Sequence, residues 1–493
     1  MAKDKSEKEQ LLEQVLPQYR SYLSDEDYDK LLASIQQPLH TSIRLNPLKT
    51  DPQQAIKTLV NKYEWQVEPI PFCEQGWWVT AAETEPSKTI EHRMGQYYIQ
   101  DAASMLPPEL FDFDDTRRPL ILDMAASPGG KTTHLISKIN DRGLVIANDA
   151  SRSRLTALRL VLQNWGAINK VVTNLPGERF ADLTPNTFDR ILLDAPCSME
   201  SLRSLDSHPM RSITTTERES LANRQFKLLE SALKTVRVGG QVVYSTCTLS
   251  PQEDEAVLNK LMEQYPIEVS IESVTHKLPF NAPGLVSDHM QEFDPQVKNA
   301  VRLWPHISNT SGFFAALLTK TDHINTTHSH IRSTQNNRKP ISTRLGKKEK
   351  INLIEDLQKQ YGLDIIKILE DHNASLWIKD KQILIMPEVD LELLNKLSFS
   401  NPGLKLGEYH PRGFLLSNEF VSRFYRQCSR SRYILPESTH AQWLRGEDIR
   451  RKPLYDFPTG TVVIMVDEQE TFLGLGRILS DRLKNLLPKR IVL

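Results

Sequence analysis

The chain has 493 residues, 39% hydrophobic and 25% charged, which is too long for one hydrophobic core and supplies apolar material for three or four domains. Its 61 basic and 62 acidic residues leave a net charge of -1, which excludes bulk attraction to a polyanion, so that any contact with nucleic acid must be local. Four cysteines with no C-x-x-C pair give no zinc or disulfide pattern and suit a reducing compartment.

The opening Met1-Ala2-Lys3-Asp4-Lys5-Ser6 has no apolar run of a signal peptide, and no later stretch is long enough to span a bilayer, so a cytoplasmic protein without membrane contact is expected. Residues 1–93 read as a helical and mixed leader, with Leu11, Leu12, Val15 and Leu16 on one face of a helix and a strand at 41–45. From 94 to 320 strands and helices alternate, the pattern of an α/β domain with a doubly wound parallel sheet. Its first strand, Pro119-Leu120-Ile121-Leu122-Asp123-Met124, runs into the turn Ala125-Ala126-Ser127-Pro128-Gly129-Gly130-Lys131-Thr132-Thr133 and then a helix through His134, Leu135 and Ile139. The second, Gly143-Leu144-Val145-Ile146-Ala147-Asn148-Asp149, ends in an acid. Helices are predicted at 152–165, at 216–236 with Gly239-Gly240 as its stop, and at 251–262 with Pro251 as its first residue. The stretch 321–350, rich in Thr, Ser, Asn and His, reads as a linker. Residues 351–417 read as a small α+β unit, and 418–493 as a compact β-rich module with a strand at 461–466. No internal repeat is visible.

Two of the cysteines follow apolar strand-like runs: Cys197 in Asp194-Ala195-Pro196-Cys197-Ser198 and Cys247 in Tyr244-Ser245-Thr246-Cys247-Thr248. A free cysteine is often core filler, but the carboxyl ends of parallel strands are where ligands and catalytic groups collect. Both thiols are therefore expected to open onto one crevice. In the turn after the first strand, glycines allow close backbone approach to a ligand, and the helix start favours an anionic or carboxylate-bearing group. Asp149, about 20 residues further on, stands where nucleotide-type folds keep a ribose-binding carboxylate. An adenosine-containing cofactor is the simplest occupant. Gly130-Lys131-Thr132 matches the end of a P-loop, but Ala125 stands where that motif requires its first glycine.

Together these blocks resemble the RNA cytosine C5-methyltransferase family with its paired cysteines. Further matches are Ile43-Arg44-Leu45-Asn46, Gly95-Gln96-Tyr97-Tyr98-Ile99-Gln100-Asp101, Arg302-Leu303-Trp304-Pro305-His306 and Gly312-Phe313-Phe314-Ala315, which cover most of the first two thirds. The last third, with Gly403-Leu404-Lys405-Leu406-Gly407 and Leu473-Gly474-Leu475-Gly476-Arg477, is similar to the tail of members acting on small-subunit rRNA. The resemblance implies a Rossmann-like methyltransferase domain at 94–320, an RNA-binding extension at 1–93 and a PUA-like RNA-binding domain at 418–493. It implies S-adenosyl-L-methionine as cofactor, no metal, and a monomer acting on 16S rRNA or the small ribosomal subunit near the decoding centre.

It also implies roles. Cytosine C5 is a poor nucleophile, so a thiolate, here Cys247, adds to C6 and makes C5 enamine-like. Cys197 serves product release by helping to remove the C5 proton. Asp194 meets the pyrimidine edge near N3 and stabilises the charge that develops, and Lys131 belongs to the rim; both also face the cofactor. The backbone of Ala125, Ala126, Ser127, Pro128, Gly129 and Gly130 goes to the methionine end and Asp149 to the ribose hydroxyls.

Two places depart from the family pattern: Pro176, where an acid usually meets the adenine amine and where Asn174 or Glu178 would have to compensate, and Met199-Glu200-Ser201, where Pro-Cys-Ser is usually followed by glycine, acid, glycine. They feed the alternative reading, a catalytically weakened RNA-binding or ribosome-assembly protein. Gln252, Glu253, Asp254 and Glu255 crowd the first turns of the helix from Pro251 and read as stabilisers of its dipole, while the helix start itself, just past Cys247, is placed for that dipole to lower the thiol pKa. Local RNA contacts are expected from Arg332, Arg338, Lys339, Arg344, Lys347, Lys348 and Lys350, and from Arg412, Arg423, Arg426, Arg430 and Arg432 interleaved with Phe424, Tyr425 and Tyr433; the alternatives are a flexible linker and a solvated face.

Overall fold

The structure is a computed structural model that describes residues 12–113, 118–203, 213–325, 343–388, 390–411, 413–450 and 457–492. Leu11, Arg332, Arg338, Lys339 and Arg412 lie outside the described residues. Among the described residues no helix is long and apolar enough to cross a membrane.

The first sheet is antiparallel, in the order β2-β3-β1-β4, from β1 (Thr41–Leu45), β2 (Gln66–Pro69), β3 (Gly76–Ala81) and β4 (Tyr97–Ile99). The helix Pro52–Tyr63 covers it. Asp51 caps that helix by accepting from the Gln54 N–H, Pro52 fills its first position, and Ala55, Ile56 and Leu59 pack on Ile43 and Leu45. Upstream, Leu12, Val15, Leu16 and Tyr19 are buried against Leu249 and Trp304 of the next unit, so this helical leader is built onto the domain that carries the thiols.

That domain is an eight-stranded sheet made of β5 (Leu120–Asp123), β6 (Leu144–Asn148), β7 (Lys170–Thr173), β8 (Phe188–Asp194), β9 (Val236–Thr246), β10 (Val269–Glu272), β11 (Val301–Leu303) and β12 (Phe313–Lys320). Its order is β10-β12-β9-β8-β5-β6-β7, with β11 paired to β12. The five strands β7-β6-β5-β8-β9 are parallel, and apolar residues fill both faces because helices cover both. These five are the doubly wound parallel sheet that the sequence predicts. The whole sheet is mixed, because the run Phe313-Phe314-Ala315-Ala316-Leu317-Leu318 returns antiparallel to β9, with β10 beyond it. The order turns back between β5 and β8, the switch point where such sheets form a ligand crevice.

Three predicted helix ends move. The long helix spans Thr215–Thr235 and passes straight into β9, so Gly239-Gly240 lies within a strand and does not cap the helix. The helix expected from Pro251 spans Glu255–Gln264, because Glu253 and Asp254 spend their side chains inward. The helix expected from Arg152 is α-helical over Leu155–Trp165 after a short 3₁₀ turn.

The C-terminal part has a five-stranded sheet, β13 (Thr343–Arg344), β14 (Ala374–Lys379), β15 (Gln382–Pro387), β16 (Leu404–His410) and β17 (Gly413–Leu416), and a four-stranded one, β18 (Arg432–Ile434), β19 (Val462–Val466), β20 (Phe472–Ile478) and β21 (Leu483–Asn485). Regular structure resumes at Thr343 and in the helix Lys347–Tyr361, within the stretch read as a linker. One core runs through both sheets. The unit docks on the free edge of β7, where Val172 and Ser400 exchange backbone hydrogen bonds and Gly403 N–H donates to the Lys170 carbonyl. Arg423 is built into this joint: it pairs with Asp141 at 2.5 Å, donates to the Gly166 carbonyl and meets His372. Phe424, Tyr425 and Tyr433 are buried. The predicted patch of arginines and stacking rings is therefore corrected: its rings and Arg423 are interior, and Arg426 and Arg430 are its exposed cations.

Candidate active site

The crevice above β5 and β8 is a cavity of about 440 Å³. The β5 end supplies its floor. Gly129 begins the helix Gly130–Lys138 at φ +116°, a conformation open to glycine. At Gly130 a β-carbon would sit 2.8 Å from the Tyr98 ring. Ala125, Ala126, Ser127, Pro128, Gly130, Lys131, Asp194 and Cys247 all line the cavity. Gly129, Asp149 and Cys197 do not, so of the two thiols expected to open onto one crevice only Cys247 lines it. Asp149 is buried at the end of β6, accepting from the N–H groups of Ser127 and Ser151, with Arg154 3.6 Å away.

The chemistry gathers at the ends of β8 and β9. Cys197 Sγ and Cys247 Sγ lie 3.2 Å apart, both free and half-buried. Lys131 Nζ donates to Asp194 Oδ2 at 2.8 Å and sits over the Phe313 ring, and Ser245 Oγ donates to Asp194 Oδ1 at 2.9 Å. Burial opposes the charge on Lys131, but Asp194, Cys247 and Asp123 outweigh it and hold the ammonium above its ordinary value. The Cys197 thiol is pushed well above its ordinary value by its hydrogen bond to Cys247, by burial, and by negative charge on Cys247 and Glu253. Beneath them Asp123, bonded by Thr132 at 2.6 Å, is raised to about 7, chiefly by burial. The arrangement keeps the proton on Cys197 and sets the Lys131 ammonium on the side of Cys247.

Other cysteines differ. Cys73 and Cys428 are buried, and burial raises both thiols. Cys73 lies 3.9 Å from His134 Nε2, which contacts Glu109 at 2.9 Å, and Lys138 pairs with the same carboxylate at 2.7 Å.

The two departures from the expected pattern have definite places. Glu200 is buried and takes two hydrogen bonds from Arg218, at 2.7 and 3.0 Å, while Leu249 N–H donates to its carbonyl. It thus pins the loop after Cys197 to the loop after Cys247. Asn174 commits its amide to the carbonyls of Asp149 and Ala150, and neither it, Pro176 nor Glu178 lines the cavity.

Three supports escaped the sequence reading. Arg44, fully buried, donates to the Gly130 carbonyl and Thr133 Oγ1, tying the first sheet to the cofactor-side helix. Arg302 pairs with Glu255 and donates to the Leu249 carbonyl. Glu253 accepts from Ser198 N–H at 2.9 Å and from Gln225 at 3.0 Å. Arg44 and Arg302 sit in the quoted motifs, the available signal; the partners of all three are remote in sequence.

Comparison with known proteins places this geometry. Residues 111–319 match the family model of the 16S rRNA methyltransferase RsmB/F, residues 11–102 that of the N-terminal domain of 16S rRNA methyltransferase RsmF, and residues 343–422 that of the pre-PUA domain of ribosomal RNA small subunit methyltransferase F. The chain is 32% identical over 482 residues to ribosomal RNA small subunit methyltransferase F of Erwinia tasmaniensis, covering 96% of this chain and 95% of that one. To the protein of the same name from Vibrio cholerae it is 30% identical, covering 94% and 93%. Among solved structures, a methyltransferase homolog from Pyrococcus horikoshii superposes with TM-score 0.52 at 31% identity, over 60% of this chain and 92% of the other. NSun6 from the same organism, solved with SFG, shares the fold at TM-score 0.53 and 21% identity, over 62% and 98%.

Proposed function

Since the chain belongs to the ribosomal RNA small subunit methyltransferase F family, we propose that it methylates cytosine C5 of 16S rRNA near the decoding centre, with Cys247 as nucleophile. The coarser activity is that of an S-adenosyl-L-methionine-dependent 16S rRNA methyltransferase. The observation that carries the finer reading is the pair of thiols 3.2 Å apart beside Lys131 and Asp194.

The cavity fits the cofactor: its wall is the glycine turn after β5, where Gly130 leaves room that a β-carbon would fill. Ala125, Ala126, Ser127, Pro128 and Gly130 would hold the cofactor, with Gly129 shaping the turn and Asp149 bracing it through the Ser127 N–H, and S-adenosylmethionine when bound supplies the methyl group. Cys247 Sγ forms a bond to C6 of the cytosine, and the C5=C6 electron pair moves toward C5 and N3. Lys131 stabilises the negative charge on the pyrimidine edge, and Asp194 holds Lys131 in place. Once Cys247 is a thioether, its charge and its hydrogen bond no longer hold the Cys197 thiol up. Cys197 then loses its proton to water and takes the proton from methylated C5; C5=C6 re-forms and the bond from Cys247 to C6 breaks. One proton is released per turnover and both thiols return to their starting states. The enzyme works as a monomer in the cytoplasm, where its RNA is.

The test is transfer from radiolabelled S-adenosylmethionine to unmodified small subunits, followed by bisulfite mapping of the rRNA. One protected cytosine, lost with Cys247→Ala, is expected. RNA binding without transfer to subunits or free rRNA would overturn the reading and leave a binding protein.

A further inference from the structure

Two thiols at one strand end raise a problem of choice, since either could ionise and attack. We infer that Glu253 is the positioning residue that makes this choice, by anchoring the Cys197 loop and placing a carboxylate behind Cys197 while Lys131 faces Cys247; the inference rests on the two-thiol reading above.

Glu253 is fully buried in the turn that precedes the helix Glu255–Gln264. Its Oε2 accepts from Ser198 N–H at 2.9 Å and from Gln225 Nε2 at 3.0 Å, and Gln225 Nε2 also donates to the Pro196 carbonyl at 2.9 Å. The residues on both sides of Cys197 therefore hang on one carboxylate. The Tyr244 hydroxyl fixes the turn from below by donating to the Glu253 carbonyl at 2.6 Å. The charge count around this point is uneven. Arg218 forms two bonds to Glu200 and only approaches Glu253 Oε1, at 3.9 Å. Arg302 is taken by Glu255. Asp254 accepts from Thr246 at 2.5 Å, has Arg302 3.6 Å away and is held well above the ordinary carboxylate range, chiefly by burial. Among the acids of this buried cluster, Glu253 and Asp254 both lack a cation in hydrogen-bond contact, and Glu253 Oε1 and Asp254 Oδ2 have no hydrogen-bond partner; Glu253 is the one of the two bonded to the Cys197 loop. A carboxylate so placed disfavours a second negative charge on the thiol in front of it. Cys197 then donates its proton toward Cys247, whose neighbour is the Lys131 ammonium. The sequence reads Glu253 as a stabiliser of the following helix's dipole; it is not, because the helix begins after it and its side chain turns back to Ser198.

The test is competitive alkylation of the full chain with iodoacetamide in the absence of RNA, with the share on Cys197 and Cys247 read by peptide mass spectrometry. Labelling rate follows the thiolate fraction, so the wild type is expected to label first on Cys247. Glu253→Gln keeps an acceptor for Ser198 and removes the charge; it is expected to raise the Cys197 share about tenfold, and Glu253→Asp to restore the wild-type preference. Gln225→Leu cuts the tie to Pro196 and leaves the charge, so its preference for Cys247 is expected to stand, which keeps the inference open to test if the Gln variant does not fold. A wild-type preference for Cys247 that Glu253→Gln leaves intact, or one lost in Gln225→Leu, overturns the role of Glu253. Equal labelling of the two thiols, or Cys197 first, in the wild type overturns the two-thiol reading itself.

Discussion

The thiol crevice and the joint that holds the C-terminal unit to β7 are built from the same kinds of side chain, used in opposite ways. In the crevice the charges stay partly open: the Lys131 side chain is 13% exposed and its partner Asp194 31%, and the facing thiols are half-buried. In the joint they are closed off. Arg423 is 5% exposed and Asp141 0%, and Asp141 also accepts from the N–H groups of Ile168 and Asn169. Lys49 nearby spends its ammonium on the Met94 and Asn164 carbonyls and Ser422 Oγ. Charges left partly unmet can answer a substrate; charges fully met lock two bodies together. Breaking the first kind should remove activity and spare the fold, and breaking the second should do the reverse.

The largest effect expected is at Cys247. Cys247→Ala should lower methyl transfer by at least on the order of 10⁴-fold and leave the melting temperature near that of the wild type. Cys197→Ala should accumulate a covalent protein–RNA adduct on denaturing gels, because attack survives and release does not. Full turnover in the first, or no adduct in the second, would reverse the assignment of the two thiols.

Next is Arg423→Ala. It leaves Asp141 buried without its cation, which typically costs about 3–5 kcal/mol, read as a lower urea midpoint. Protein that remains folded should still bind cofactor. A loss below about 1 kcal/mol would mean that the joint is wetter than its burial indicates, and the contrast with the crevice would fail.

The same contrast decides what could be read in the chain itself. The turn from Ala125 to Lys131 and the strand ends before Cys197 and Cys247 are local: ligand-facing backbone needs particular residues in a row, so the crevice was legible. The joint is assembled from Asp141, Gly166, His372 and Arg423, which no window brings together, and Arg423 beside Phe424 and Tyr425 looks like an RNA patch until burial is known. Arg44 was quoted as part of a motif, but its work on Gly130 and Thr133 lies 86 and 89 residues away. The antiparallel return of β12 was missed for a related reason, since an apolar run states that a strand is buried and not which way it runs. The start of the helix at Glu255 was misplaced because Pro251 and its acids imitate a helix start, while Glu253 and Asp254 in fact face Ser198 and Thr246.

A smaller effect is set by pH. Burial pushes Lys49 down to about 7, and Lys170, whose Nζ donates to the Asn401 carbonyl across the joint, to about 7 as well. An unfolded lysine keeps its proton to about 10.5. Between pH 7 and 10 the unfolded chain therefore binds protons that the folded chain has released, and stability rises with pH, by up to about 1.4 kcal/mol per unit for each lysine. Below pH 7 both states are protonated and this contribution is flat. Urea titrations from pH 7 to 9 should show the rise, and Lys49→Met should reduce its slope. An unchanged slope in that variant would show that the ammonium keeps its charge inside the joint.

The smallest effect belongs to Arg430, seven residues from Arg423 and read with it in the sequence as one basic patch. Arg430 is exposed and its guanidinium donates to the Lys359 carbonyl at 3.2 Å, so Arg430→Ala should change stability by no more than about 0.5 kcal/mol. Its side chain is free to meet a phosphate. If it does, the variant should bind rRNA more weakly across sequences and its dependence of log affinity on log salt should flatten by about one, whereas Arg426→Ala, which lifts a guanidinium off the Tyr425 ring, separates a phosphate contact from packing. Two arginines seven residues apart would then differ by several kcal/mol in what they do for the fold, in the sense opposite to what they do for RNA. Equal losses of stability at Arg423 and Arg430 would break that division, because they would mean that exposure at this edge says nothing about which charge the fold depends on.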